Sequence, residues 1–523
     1  MIHSVSDLLY HTVNHAPDKK AVFYKNEFLT YAEIFEQSQN LAQTLIRVGV
    51  MPGDRVCFYL EKRPEKIISL FAIALVQAIF VPIRRLSLPR QALYIVHDST
   101  ASVLITTSSA LATLSGQLKR LRCVILVDQL DFVFTDCLYL SWDEAIGSQS
   151  RRKAFSRSVS TATAAIMYTS GSTGFPKGVV LSNLNIIAGA RIVSDYQKMR
   201  EDDKLLSILT FGFDYGLNQL MLTFFNCSQI YLLNYLFPKD ILEFVTKHQL
   251  TGLAAVATTW IQLLQIPWGD SMSSLRYITN TGGSIPVDYV RELRKRIPRT
   301  NIYLMYGLTE AFRSTFLDPT MVDKRPSSIG KAIPGEEIIV LGDDNQPVLP
   351  GQTGELVHRG VLVAQGYWNA PELTQKRFRK NPLQNAEINL DEKVVYSGDY
   401  VRQDSEGYLY FVGRKDEMIK SAGNRISPTE VEEILYNSNM IADVVAFGVP
   451  HEIYGQCVCI IASPVAGTEL KAEEILQFCR KNMPVYMVPQ HCLIWSSLPC
   501  NANGKLDRST IKNNAIQQLD LCQ

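Results

Sequence analysis

Charge of one sign is missing from this chain: 52 Lys and Arg stand against 51 Asp and Glu, interleaved, for a net charge of +1. That leaves no electrostatic footprint for nucleic acid or an anionic membrane surface, so small molecules are the expected partners. Metal-ligand spacing is missing too, since the ten cysteines are scattered from Cys57 to Cys522. Cys457 and Cys459 alternate along an apolar stretch, as residues on one face of a strand do. Reduced, structural thiols in the cytoplasm are the expectation. The one suspicious apolar stretch, 67–83, falls short of the roughly 20 residues that span a bilayer. It contains Ser69 and Gln77, carries Pro82 near its end, and predicts a buried helix followed by a core strand. Residues 1–9 lack the basic start and apolar centre of a secretory signal, and predict an amphipathic helix with Val5, Leu8 and Leu9 on one side. Internal repeats and low-complexity tracts are absent as well.

What is present is length and apolar content. At 523 residues, 46% of them apolar, the chain is too long for one ordinary core and rich enough to build more than one. From about residue 20 to 400, β-rich runs (55–60, 103–106, 123–127) alternate with helical ones such as 67–75. Such alternation predicts an α/β fold of mostly parallel sheets covered by helices. Near Gly413 the character changes. A helix at 428–436, strands at 444–448 and 457–462 and a helix at 472–480 predict a small α+β domain. The expected division is a large N-terminal domain, 1–413, and a C-terminal domain, 414–523.

One short loop concentrates the chemistry: Tyr168-Thr169-Ser170-Gly171-Ser172-Thr173-Gly174-Phe175-Pro176-Lys177-Gly178. Glycines let backbone N–H groups crowd around an anion, hydroxyls add neutral donors, and Lys177 supplies a point charge. An apolar run enters the loop at 164–168 and a β-branched run leaves it at 179–181, which predicts strand, loop, strand. A Walker A motif is excluded, because that needs Gly-Lys followed by Ser or Thr, whereas Lys177 follows Pro176 and precedes Gly178. A plain Ser/Gly linker would lack the Pro-Lys-Gly exit into a strand.

Further motifs follow in order: Tyr306-Gly307-Leu308-Thr309-Glu310 after an apolar strand at 302–305, then Tyr396-Ser397-Gly398-Asp399, Gly413-Arg414-Lys415-Asp416 and Asn503-Gly504-Lys505-Leu506-Asp507-Arg508. Together with the loop they resemble the adenylate-forming enzymes, which include acyl-CoA synthetases, carrier-protein adenylation domains and luciferases, and the resemblance covers essentially the whole chain. It implies ATP and magnesium, activation of a carboxylic acid as acyl-adenylate with loss of pyrophosphate, and transfer of the acyl group to the thiol of CoA.

The same resemblance implies roles. Thr169, Ser170, Gly171, Ser172, Thr173, Gly174 and Lys177 would cradle the outer phosphates. Thr309 would bond the α-phosphate, and Glu310, with Thr169, would help hold magnesium. Tyr306, next to Gly307, would lie against adenine, with Gly282 and Gly283 of Thr281-Gly282-Gly283-Ser284 running along it and the acyl pocket. Asp399 and Arg414 would take the ribose. Lys505 would swing in to bridge carboxylate and α-phosphate, charge stabilisation being the main demand of such a transition state. Asp416 would be the hinge, and Lys420, Ser421 and Gly423 would line a tunnel for pantetheine. On composition alone the run at 413–417 would be a solvated linker, Asp399 a turn residue and Lys505 a surface lysine.

Substrate choice rests on residues that the motifs do not fix: Phe213, Asp214, Trp260, Gly282, Ala311 and Phe312. Asp214 leaves two alternatives open. A carboxylate beside an apolar pocket needs a cationic partner, which is either the amine of an amino-acid substrate or a protein cation such as Arg313. The segment at 424–432 looks more like a free-standing CoA ligase than a carrier-protein module. An amino-acid-activating enzyme that loads a separate carrier protein's phosphopantetheine is the alternative within the same chemistry. A catalytically silent nucleotide-binding regulator and a luciferase-like monooxygenase lie further off.

Overall fold

The computed structural model describes residues 2–519 except 86, 115–117, 119, 129–136, 148–154, 170–175, 270, 386, 389–390, 422–423, 452–453, 466 and 502–503, with the backbone alone at 420, 424 and 425. Two sheets dominate it. In one, Arg55–Leu60 lies between Ile79–Arg84 and Val103–Thr106, with Cys123–Leu126 and Leu138–Ser141 beyond, all parallel. On the other side of Ile79–Arg84 comes Thr163–Thr169, also parallel, whose partner Lys177–Ser182 is antiparallel. The expected strand, loop, strand is therefore present, and the loop between the two strands falls outside the described residues.

In the other large sheet Lys204–Ser207, Gly252–Ala255, Tyr277–Asn280 and Asn301–Tyr306 run parallel, and Thr315–Leu317 turns back antiparallel. Strands buried on both faces read as unbroken apolar runs, which is how these sequences look. Helices fill the space around them. Pro64–Leu75 starts on a proline, which suits the first helical turn, and is buried from Lys66 onward. It leads into Ile79–Arg84 as the composition of 67–83 predicts. Val5–His15 is capped by Ser4 and Asp7 and buries Val5, Leu8 and Leu9. These helices share one apolar core that includes Leu41, Phe71, Phe80, Ile186, Leu220 and Phe224. Among the described residues no helix is long and apolar enough to cross a membrane.

A third sheet went unread in the sequence. Glu337–Leu341, Thr353–Arg359, Lys393–Gln403 and Phe378–Lys380 form an antiparallel ladder that also takes in Leu409–Arg414. Its turn-rich, Gly- and Pro-punctuated sequence hides short strands that lack a clean two-residue period. The last sheet centres on the long antiparallel pair Ile441–His451 and Gly455–Pro464, packed against Pro428–Tyr436, Ala472–Asn482 and Arg508–Gln518. Cys457 and Cys459 point to one apolar cluster and Val458 to the other, as alternation along a strand requires.

Candidate functional site

In open parallel sheets the loops leaving the carboxyl ends of the strands build the binding crevice, and here they converge on one cavity of about 370 Å³. Arg84 ends one strand and Thr169 another, Asn280 to Gly283 follow a third, and Tyr306 to Glu310 follow a fourth. The antiparallel sheet adds Asp399 and Arg414, and the C-terminal segment adds Lys505.

At one end sits Asp399. It lies directly opposite Arg414 in the ladder, so the two side chains are cross-strand neighbours, with Arg414 Nε 3.3 Å from Asp399 Oδ1. Tyr306 donates its hydroxyl to Asp399 Oδ2 at 2.5 Å. Burial pushes the Asp399 carboxyl up, and Arg414 and Tyr306 oppose the rise. Arg377 reaches the same corner, covering Gly398.

At the other end Asp214, the first residue of the helix Asp214–Phe225, is buried and lines the cavity. Arg313 Nη1 donates to its Oδ2 at 3.1 Å, with side chains only 2% and 5% exposed. Of the two partners open to Asp214 in the sequence, the structure contains the protein cation. Arg84 is half-buried beside the pair, its Nε donating to the Gly212 carbonyl at 2.9 Å. Burial lowers Arg84 and the charge of Asp214 raises it.

Lys505 stands between the ends. Its Nζ lies 5.2 Å from the centre of the Phe213 ring. Gly282, at φ +82°, passes so close that a β-carbon there would fall 2.6 Å from Lys505 Cε and 2.7 Å from Nζ, so a side chain here would strain the backbone and push the lysine aside. Thr258 fixes the approach by donating its hydroxyl to the Gly504 carbonyl. Burial pulls Lys505 down to about 8, with Asp214 opposing and Arg84 adding to the fall.

Glu310 lines the cavity near Thr309 and Thr169, and the Tyr367 hydroxyl donates to its Oε1 at 2.5 Å. Magnesium beside phosphates takes one or two carboxylates and the substrate's own oxygens. One cavity-facing carboxylate held in place, with a threonine hydroxyl nearby, fits that need.

The cavity thus gathers Thr169, Phe213, Asp214, Gly282, Gly283, Tyr306, Gly307, Thr309, Glu310, Asp399, Arg414 and Lys505. It does not gather all that the sequence pointed to. Lys177 opens the strand Lys177–Ser182 and is not in the cavity wall. Trp260 and Ala311 are fully buried outside that wall, and Trp260 is turned toward the sheet, donating Nε1 to the Thr279 carbonyl. Asp416 is exposed in a turn, and Ser421 is buried on a strand of the last sheet. Residues 170–174, the Lys420 side chain and Gly423 lie outside the described residues. Arg84 and Arg377 were missed; the only signal for Arg84 was a charge closing the apolar strand Ile79–Arg84.

Comparison with known proteins gives this geometry its setting. The family model for the AMP-binding enzyme matches residues 9–368, and that for the AMP-binding enzyme C-terminal domain matches 430–505. A linear gramicidin synthase of Brevibacillus parabrevis is 30% identical over 95% of the chain, which spans only 9% of that protein. Tyrocidine synthase 3 of the same organism is 27% identical over 97% of the chain, which spans 8% of it. Indoleacetate–CoA ligase of Aromatoleum aromaticum is 29% identical, with 95% of each chain covered. The crystal structure of the anthranilate CoA ligase AuaEII with anthranoyl-AMP superimposes with a TM-score of 0.89 at 22% identity, covering 99% of this chain and 98% of that one, a likeness of fold. With the family model spanning most of its length, the chain belongs to the AMP-binding enzyme family.

Proposed function

We propose that this chain is an AMP-forming acid–thiol ligase. The carboxylate of the acid attacks the α-phosphorus of ATP and pyrophosphate leaves; the thiol of CoA then attacks the acyl carbon of the adenylate and AMP leaves. The observation that carries this reading is Lys505, a half-buried cation that the C-terminal segment places in the wall of the cavity that also holds Asp214 and Asp399.

The roles are those that the family resemblance implies, supported for Thr169, Tyr306, Thr309, Glu310, Asp399, Arg414 and Lys505 by their common place in the cavity wall. Asp399 and Arg414 hold the ribose, with the Tyr306 hydroxyl fixing the Asp399 carboxylate. Thr309 bonds the α-phosphate, and the loop from Thr169 to Lys177, with Ser170, Gly171, Ser172, Thr173 and Gly174, takes the outer phosphates. Magnesium, when bound at Glu310 and Thr169, neutralises phosphate charge. Lys505 bridges the attacking carboxylate and the α-phosphate oxygens, a preorganised charge aimed where negative charge accumulates. Arg84 draws the carboxylate toward it. The domains divide at 413/414, Asp416 is the pivot that takes Lys505 away for the second step, and Lys420, Ser421 and Gly423 line the path of pantetheine. The cytoplasm, where thiols stay reduced, is the proposed setting. A free-standing carrier protein as acceptor is the second reading, favoured by the peptide-synthetase relatives.

ATP–pyrophosphate exchange on the purified protein, with fatty, aryl, dicarboxylic and amino acids offered in turn, tests the reading. Exchange with one class, lost in Lys505→Ala while thioester formation from supplied adenylate survives, is expected. Absence of exchange with every acid, together with no binding of ATP, would sink it.

A further inference from the structure

The acyl end of the cavity carries a charge imbalance that one substrate carboxylate does not remove. Arg84, Arg313 and Lys505 line it against a single carboxylate there, Asp214. Arg313 is 2% exposed, yet only its Nη1 is used, on Asp214 Oδ2 and on the Phe312 carbonyl. Its Nε and Nη2 have no hydrogen-bond partner among the described residues. Those two nitrogens form the side of the guanidinium that presents parallel N–H groups to a carboxylate. Two other arginines fill that side: Arg63 uses it on Glu65 at 2.8 and 2.6 Å, and Arg276 on Asp203 at 3.1 and 2.5 Å. A buried guanidinium with that edge open is an anion site short of its anion, because an unpaired buried charged donor carries a large desolvation penalty.

The surroundings say where the anion comes from. Arg313 and Met305 belong both to the main cavity and to a neighbouring void of about 10 Å³, walled also by Tyr215, Asn218, Gln219 and Thr279. Asn218 Oδ1 and Gln219 Oε1 are buried there without partners among the described residues, and an amide turned by half a rotation offers NH₂ in place of oxygen. The guanidinium lies over the rings of Tyr215 and Phe312, 5.1 and 5.4 Å from their centres. The void has room for about one water, and the main cavity, about 370 Å³, has to hold the nucleotide as well as the acid, which makes the acyl chain short. A substrate ammonium would meet three cations here, and an alkyl tail would leave the Arg313 edge unpaired.

We propose that the acid activated by this protein is a short dicarboxylic acid, whose second carboxylate is gripped by the Nε/Nη2 edge of Arg313 while the first meets Lys505. The proposal rests on the adenylation reading above. Arg313 is then a specificity-determining residue, and Asp214 the group that holds its guanidinium in place.

The test offers malonate, succinate and glutarate against acetate, propionate and butyrate in ATP–pyrophosphate exchange. Alongside it, isothermal titration compares 5′-O-sulfamoyl adenosines carrying a 3-carboxypropanoyl, a butanoyl or a succinamoyl group. One dicarboxylate should exceed its matched monocarboxylate by about a hundred-fold in kcat/KM, and the carboxyl analogue should bind tighter by a similar ratio, as expected for loss of one partner of a buried charge pair. Removing both protein partners together, in Arg313→Met with Asp214→Asn, avoids stranding a buried charge, and should bring both ratios to within about threefold; AMP affinity measured alongside reports folding. Arg313→Lys keeps the charge without the fork and should fall between. Equal use of the two acid classes, or a preference that survives the double variant, overturns the dicarboxylate and leaves the ligase reading standing. If the carboxyl and butanoyl analogues bind alike, a water pairs with Arg313 and the proposal fails. If neither ATP nor any analogue binds, the adenylation reading fails and this proposal fails with it.

Discussion

The two ends of the cavity are built from the same pair of groups and differ in how they hold them. Asp399 faces Arg414 and Asp214 faces Arg313, and in each pair one carboxylate oxygen is buried without a hydrogen-bond partner. Arg414 is 46% exposed and sits where the chain leaves the antiparallel sheet for the last sheet, whereas Arg313 is 2% exposed and packs against the rings of Tyr215 and Phe312. An end whose cation stays half in water suits a ligand that must enter and leave readily. An end whose cation is fixed and desolvated suits discrimination, since a rigid unpaired donor rejects whatever cannot pair with it.

Lys505 stands in the cavity wall with both ends, so its loss should have the largest effect. Lys505→Ala should slow adenylation by about a hundred- to a thousand-fold, the range for one preorganised charge-stabilising donor. Substrate affinities at either end should change far less, as befits a group engaged chiefly in the transition state. Single-turnover adenylate formation measures the first and equilibrium titration the second. A loss shared equally by binding and turnover would mean that Lys505 is packing and not chemistry.

Next come the two aspartates, whose variants should separate the ends. Asp399→Ala should raise KM for ATP by about a hundred-fold, the scale for truncating one side of a buried charged pair, with the preference among acids kept. Asp214→Asn should do the reverse: KM for the acid rises by about tenfold as Arg313 loses its anchor, and KM for ATP moves by less than about threefold. If both variants raised both constants together, the ends would be one coupled site.

The contrast also marks how far the sequence could be read. The Asp399 end was legible through the family resemblance alone, since Ser397-Gly398-Asp399 and Gly413-Arg414 stand in its motifs, and the ladder sets Asp399 opposite Arg414. Lys505 was legible from Asn-Gly-Lys, and Gly282 now has a physical reason in the lysine that crosses it. The acyl end was legible only in part: Phe213 and Asp214 were named and line the cavity, and Arg313 was named as one of two possible partners of Asp214. Arg84, Asn218 and Gln219 were not, because a strand end and a helix turn have no periodicity to link them. Which partner Asp214 takes depended on the tertiary position of Arg313. Trp260 fell outside the cavity wall because a large ring near a pocket in sequence can face the sheet in space, and its N–H found the Thr279 carbonyl.

A smaller effect should come from Gly282→Ala. The left-handed backbone costs an L-residue roughly 1–2 kcal/mol, and the new methyl would press on the Lys505 side chain. Adenylation should fall by about tenfold while thioester formation from supplied adenylate, in which Lys505 is withdrawn, should fall by less. An equal fall in both steps would place the damage in the backbone alone.

The smallest effect is in pH, and its sign separates catalysis from stability. Lys505 is held at about 8 against an ordinary 10.5. A lysine that must be charged to act therefore loses function as pH rises through about 8, and kcat/KM for exchange, which reports the free enzyme, should fall about tenfold per pH unit above it. Stability runs the other way. Between about 8 and 10.5 the unfolded chain keeps the lysine proton that the folded chain has lost. The penalty for burying the charge is complete below 8 and is relieved as pH climbs through that window. Measured as the difference between the wild type and Lys505→Ala, the unfolding midpoint should thus rise with pH while exchange falls. Lys505→Arg, charged throughout, should lower the plateau and move the falling limb above pH 9. A limb that stays near 8 in the arginine variant would assign the titration to another group.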